Sequence, residues 1–158
     1  MTIFLEIDPK FSESSDFPNF RNCALAVFQE QGIHPESEIT IVIVDDDEIQ
    51  RLNREFLAQG KPTDVLAFPA GHIDPDTEHR NFGDVIISYP RAEVQAIAGG
   101  HQLSSELSLL AVHGVLHLLG FDHDLPESEI KMWQVQTKIL SKLGIEINTP
   151  HYSTHIDT

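Results

Sequence analysis

The stretch Leu109-Leu110-Ala111-Val112-His113-Gly114-Val115-Leu116-His117-Leu118-Leu119 is apolar on every side except at its two histidines. A helix of that composition has no solvent face and belongs in the middle of a domain, so the rest of the chain must be able to surround it. His113 and His117 are one helical turn apart and share a face. Two imidazoles buried together need a donor, an acceptor or a cation between them. Gly120 follows; a glycine can take the left-handed conformation that ends a helix and reverses the chain, which returns His123 toward the same spot.

Outward from that helix, Ile3 to Ile7 reads as a strand, and Phe17 to Gln31 carries Phe20, Ala24, Val27 and Phe28 at helical spacing before Gly32 ends it. Ile39 to Val44 is β-branched throughout, as in strands covered on both faces, and Asp45-Asp46-Asp47-Glu48 suits the start of a helix from about Asp46 to Phe56. Val65 to Phe68 and Asp84 to Ser88 read as two more strands, joined by a polar loop from Gly71 to Phe82. The pattern then turns helical: Arg91 to Ala98, Ser104 to Leu119 and Glu127 to Leu143, each followed by glycine. The expected fold is α+β, a single domain over residues 1–158 with about four strands in a mixed sheet, about five helices, the histidine helix central and Asn148 to Thr158 an irregular tail. Strand order is not written in this pattern.

A chain of 158 residues with 41% hydrophobic and 22% charged residues has the composition of one globular domain. The N-terminus lacks the marks of an export or transit signal and no apolar run is long enough to span a bilayer, so a cytoplasmic location and no membrane partner are expected. The single cysteine, Cys23, excludes an intrachain disulfide and agrees with a reducing compartment. A net charge of −15 repels nucleic acid at long range, so an anionic substrate needs local help.

His113, His117 and His123 supply three nitrogen ligands, which leaves a tetrahedral zinc one open coordination position and thus a catalytic rather than a structural site, with one ion per chain. Histidines that merely fill a core occur singly and hydrogen-bonded; three at ligand spacing around a breaking glycine favour metal over that reading. Asp122 and Asp124 flank the third histidine and are placed to accept a ring N–H. The histidines at positions 34, 72, 79, 101, 151 and 155 fall in expected loops or the tail and read as solvated, His151 and His155 with some capacity for stray metal. Metzincin proteases use the same histidine spacing with Glu after the first histidine as general base, but here that place is Gly114, which removes the main chemical support for proteolysis.

With its surroundings, HGVLHLLGFDH at 113–123 resembles the signature HGxLHLxGYDH of the YbeY family, bacterial metal-dependent endoribonucleases of ribosomal RNA maturation, with Phe121 in the Tyr position. The resemblance extends to Leu52-Asn53, to Lys61-Pro62-Thr63-Asp64-Val65-Leu66-Ala67-Phe68-Pro69, to Gly83-Asp84-Val85-Ile86-Ile87-Ser88 and to Met132-Trp133. It implies a metal on His113, His117 and His123 and cleavage of single-stranded RNA beside them, at the 3′ end of small-subunit ribosomal RNA, with the small ribosomal subunit as partner and no DNA substrate. One departure stands out: where the family carries Arg four residues after the Asn of its Leu-Asn pair, this chain has Leu57. Arg54 and Lys61 are the nearest substitutes for that phosphate contact, and Lys61 and Asp122 are the candidates for a catalytic role. Phe56, Phe68, Phe82 and Phe121 could offer stacking platforms for unpaired bases but read as core. Two other readings stay open: a metal-stabilised ribosome assembly factor without catalysis, and a metal-dependent hydrolase of another substrate.

Overall fold

The computed structural model describes residues 1–34, 36–57, 63–73, 75–76 and 80–147, so the tail and Lys61 lie outside it. The elements run β1 (Thr2–Ile7), α1 (Phe20–Gln31), β2 (Ser37–Val44), α2 (Asp46–Leu57), β3 (Val65–Ile73), β4 (Arg80–Ser88), α3 (Tyr89–Gly99), α4 (Leu103–Leu118) and α5 (Pro126–Lys142). Together they make the expected α+β domain, with a four-stranded mixed sheet in the order β1-β2-β4-β3. β1, β2 and β4 are parallel, and β3 returns antiparallel to β4 with Val65 opposite Ile87.

β2 shows why its β-branched run suits this place. Ile39, Ile41 and Ile43 are fully buried on one face, in the cluster that holds α1, α4 and α5. On the other face Val42 joins Val44, Ile49, Leu66 and Ile86 beneath α2. α2 starts where Asp45 Oδ1 accepts the Glu48 N–H at 2.8 Å, and the acidic first turn suits the positive end of the helix.

Two boundaries differ from the sequence reading, and each has a local cause. At both ends of the loop expected from Gly71 to Phe82 the described residues are strand, because the β3–β4 ladder continues through His72–Asn81 and Ile73–Arg80 past a register shift. Pro69 is tolerated there because β3 is an edge strand. α1 begins at Phe20 rather than Phe17, since Asn19 Oδ1 caps the Asn22 N–H at 3.0 Å, and Phe17 packs against the Tyr89 ring instead.

α4 is the centre. Every residue from Glu106 to Leu116 is buried, among α1, α3, α5, β3 and β4. At Gly114 the helix lies so close to the sheet that a Cβ would come within 2.4 Å of Val85 Cγ1 and 3.3 Å of Val65 Cγ2. A glycine inside a helix costs about 1 kcal/mol relative to alanine, and here the close approach requires it. Any side chain at that position, a carboxylate included, must displace the Val85 methyl group or the helix.

A buried polar group underlies the start of β3. Asp64 is 1% exposed, receives the Gln95 Nε2 amide at 3.1 Å, and its backbone carbonyl accepts the Ser88 N–H at 2.9 Å. Burial pushes its carboxyl up to about 7, and the nearby Glu106 carboxylate adds to the rise against the Gln95 bond. Glu106 is itself met by His101 Nε2 at 2.6 Å, so His101 is a partner of a buried acid and not the solvated loop residue expected.

Two outcomes are expected. Gly114→Ala should lower stability by about 1–3 kcal/mol in urea unfolding through overpacking, the reverse of the usual gain for alanine in a helix. Between the unfolded carboxyl value of about 4 and the folded value of about 7, the unfolded chain has released the proton that Asp64 retains when native. Stability therefore falls with rising pH across that window, by at most about 1.4 kcal/mol per pH unit, and is not regained above it. Unfolding midpoints at pH 5 and pH 7.5 measure this, and Asp64→Asn should flatten that part of the profile.

Candidate metal centre

Three histidines reach one point because of how α4 ends. Gly120 adopts φ +99, Gly120 N–H bonds to the His117 carbonyl at 3.0 Å and Phe121 N–H to that of Leu116 at 3.1 Å, the paired bonds of a Schellman turn. The chain reverses and lays His123 across the open end of the helix face. His113 is buried at 3% exposure, while His117 and His123 are half-buried toward the surface.

The rings face one another, with centroids 4.5 Å apart for His113 and His117, 5.2 Å for His117 and His123 and 5.6 Å for His113 and His123. One nitrogen from each lies within 4.8 Å of the others, and Nε2 of His117 is 2.9 Å from Nε2 of His113. Burial, reinforced by His117 and His123, lowers His113 well below its ordinary value, and burial beside His123 lowers His117 to about 4. Both rings are therefore neutral at physiological pH, the form in which imidazole ligates a metal. Nε2 of His123 is buried without a hydrogen-bond partner, an orphaned polar atom on the third ring of the cluster. Three converging imidazoles, two of them held neutral by burial, fit a divalent transition metal, and among the described residues no carboxylate or thiolate joins them.

Sequence reasoning missed one functional neighbour. Nδ1 of His113 lies 2.8 Å from Oε1 of Gln136, a residue of α5 that is 1% exposed. Its signal was a polar residue on the α5 stripe of Met132, Ile139 and Leu140, which otherwise faces the core. Asp122 and Asp124 do not fill that place: among the described residues neither bonds to an imidazole, and Asp122 Oδ1 instead takes the Asp124 N–H at 3.4 Å. Their charges still favour the protonated form of His117 from nearby. Asp122 lines a depression of about 320 Å³ with Leu119, Gly120, Phe121, Ser128 and Lys131, immediately beside the histidine turn.

The other residues that the sequence singles out sit elsewhere. Arg54 is exposed on α2 and makes no hydrogen bond or ion pair to the histidine cluster among the described residues, and Leu57 closes the same helix. Lys61 lies outside the described residues. Phe82 is core, with the Arg80 guanidinium 4.4 Å above its ring, while Phe56 is largely exposed.

Metal should stabilise this site measurably. With Zn²⁺ at about 100 times its dissociation constant, the native state gains about 2.7 kcal/mol, read as a rise in the thermal midpoint. His123→Ala should abolish that gain, whereas replacement of His151 and His155 should leave it intact.

The family model described as Endoribonuclease YbeY matches residues 8–144. Endoribonuclease YbeY of Clavibacter sepedonicus is 36% identical over 141 residues, covering 86% of this chain and 92% of its own. The protein of the same name from Nostoc sp. is 45% identical over 120 residues, 72% of this chain and 65% of its own. Among solved structures, the solution structure of TM1509 from Thermotoga maritima superposes with a TM-score of 0.54 at 25% identity, covering 90% of this chain and 92% of that one. The family match takes in the buried helix, the three histidines, the glycine turn and the strands β2, β3 and β4, and the chain belongs to the YbeY endoribonuclease family.

Proposed function

We propose that this chain is a zinc-dependent endoribonuclease of single-stranded ribosomal RNA, acting in the cytoplasm at the 3′ end of the small-subunit RNA during ribosome maturation. The reading rests on one observation above others: three imidazoles converge at the half-open end of a buried helix, with no fourth protein ligand joining them among the described residues. His113, His117 and His123 would hold one ion. When bound, such an ion acts as a Lewis acid toward a phosphodiester and lowers the pKa of water.

The chain's own residues supply the setting. The apolar packing of α4 fixes the two helical imidazoles, and the Gly120 turn fixes the third. The depression beside the turn offers Lys131 to a phosphate and the Phe121 ring to a base, with the Lys131 ammonium 6.0 Å from that ring. Asp122, exposed in the same depression, would move a proton at the surface of the site. Lys61 and Arg54 are the candidate RNA contacts in place of the arginine that Leu57 replaces.

Purified protein with quantified metal should cleave a single-stranded ribosomal RNA fragment, and His117→Ala should reduce the rate at least about 100-fold, with chelation doing the same. Equal cleavage by the variant would assign the activity elsewhere. Leu57 favours one second reading, an assembly factor that binds small-subunit particles without cutting RNA. Stoichiometric metal and particle binding with no cleavage is the result that selects it.

A further inference from the structure

The buried stripe of α5 contains Met132, Gln136, Ile139 and Leu140. An amide in such a stripe costs several kcal/mol when unbonded, so its partner is the reason it is there. That partner is His113: Gln136 Oε1 stands 2.8 Å from Nδ1, and the residue is 1% exposed. On the far side of the same ring, Nε2 faces His117 Nε2 at 2.9 Å, inside the cluster that His123 completes. With the carbonyl oxygen of the amide toward Nδ1, that nitrogen must carry the proton, and the lone pair is left on Nε2, toward the cluster.

We propose that Gln136 is a positioning residue that holds His113 as its Nδ1–H tautomer, so that Nε2 is presented to the metal before the metal arrives. The inference rests on the metal-centre reading above. The choice of an amide matters for charge. A carboxylate at this position would also accept the Nδ1 proton but would cancel one unit of the ion's charge, whereas Gln136 orients the ring and leaves the centre fully positive toward a polyanionic substrate.

The test uses the whole chain, Zn²⁺ as the probe and competition with a chromophoric chelator, comparing wild type with Gln136→Leu and Gln136→Glu. Gln136→Leu, which keeps bulk and removes the acceptor, should weaken Zn²⁺ binding about 10- to 100-fold. Gln136→Glu, which restores an acceptor, should bind within about threefold of wild type or more tightly. Long-range ¹H–¹⁵N imidazole spectra of the metal-free wild type should show His113 protonated on Nδ1, a signature that packing alone does not set. A folded Leu variant with affinity within about twofold of wild type overturns the proposal, as does His113 protonated on Nε2. If the Leu variant does not fold, the tautomer in wild type decides. Wild type without stoichiometric Zn²⁺ overturns the metal centre itself and the proposal with it, an outcome distinct from loss in the variants alone.

Discussion

The contact between Gly114 and the sheet is the constraint from which the rest follows. Because Gly114 has no side chain, the Val85 and Val65 methyl groups pack directly against the α4 backbone and the helix sits close to β3 and β4. That depth buries the helix from Glu106 to Leu116 and forces every polar group on it to find a partner inside the protein. Glu106 meets His101, Ser108 bonds back to the Ser104 carbonyl at 2.8 Å, and His113 meets Gln136. Only toward the C-terminal end, where α4 emerges, do His117 and His123 reach the surface. The same closeness explains the absence of a general base in the metzincin position. Whatever base the reaction uses must come from outside the helix.

Electrostatics at the cluster and over the whole chain run in opposite directions. The chain carries −15, yet the ring nitrogens that face one another are neutral, and the nearest partner of the deepest ring is a neutral amide. A dication placed there is not offset by a charged ligand. The local field is then set by the ion and by what few bases surround it, not by the net charge.

Much of this was legible because it depends on local pattern. The apolar run, the histidine spacing and the glycines that end α1, α3, α4 and α5 are properties of neighbouring residues, and each is realised, with positive φ at Gly32, Gly100, Gly120 and Gly144. Strand order, by contrast, is a long-range property: β2 pairs with β4 and skips β3, which no local signal states. Gln136 and Asp64 escaped notice for a related reason. Each is one polar residue whose meaning lies in a partner more than twenty residues away, His113 for the one and Gln95 for the other. Pro69 and Gly71 misled in the other direction, since they are breakers in the interior of a sheet and admissible on its edge.

The basic residues narrow what an RNA can touch. Arg51 is held by Glu48 and Glu55, Lys10 by Asp45, and Lys138 and Lys142 both by Glu30. Arg91 lies 3.7 Å from Asp46. Exposed pairs of this kind contribute little to stability, but each neutralises a cation that would otherwise attract phosphate. Affinity for RNA scales with the phosphates neutralised, so a chain that pairs its bases with its own acids binds through a short footprint. Lys131, near Phe121, is the described base that lines the depression beside the histidine turn. A footprint this short cannot supply affinity by phosphate neutralisation along a track, so whatever grip the chain has on RNA must be concentrated in a few contacts near the histidine turn.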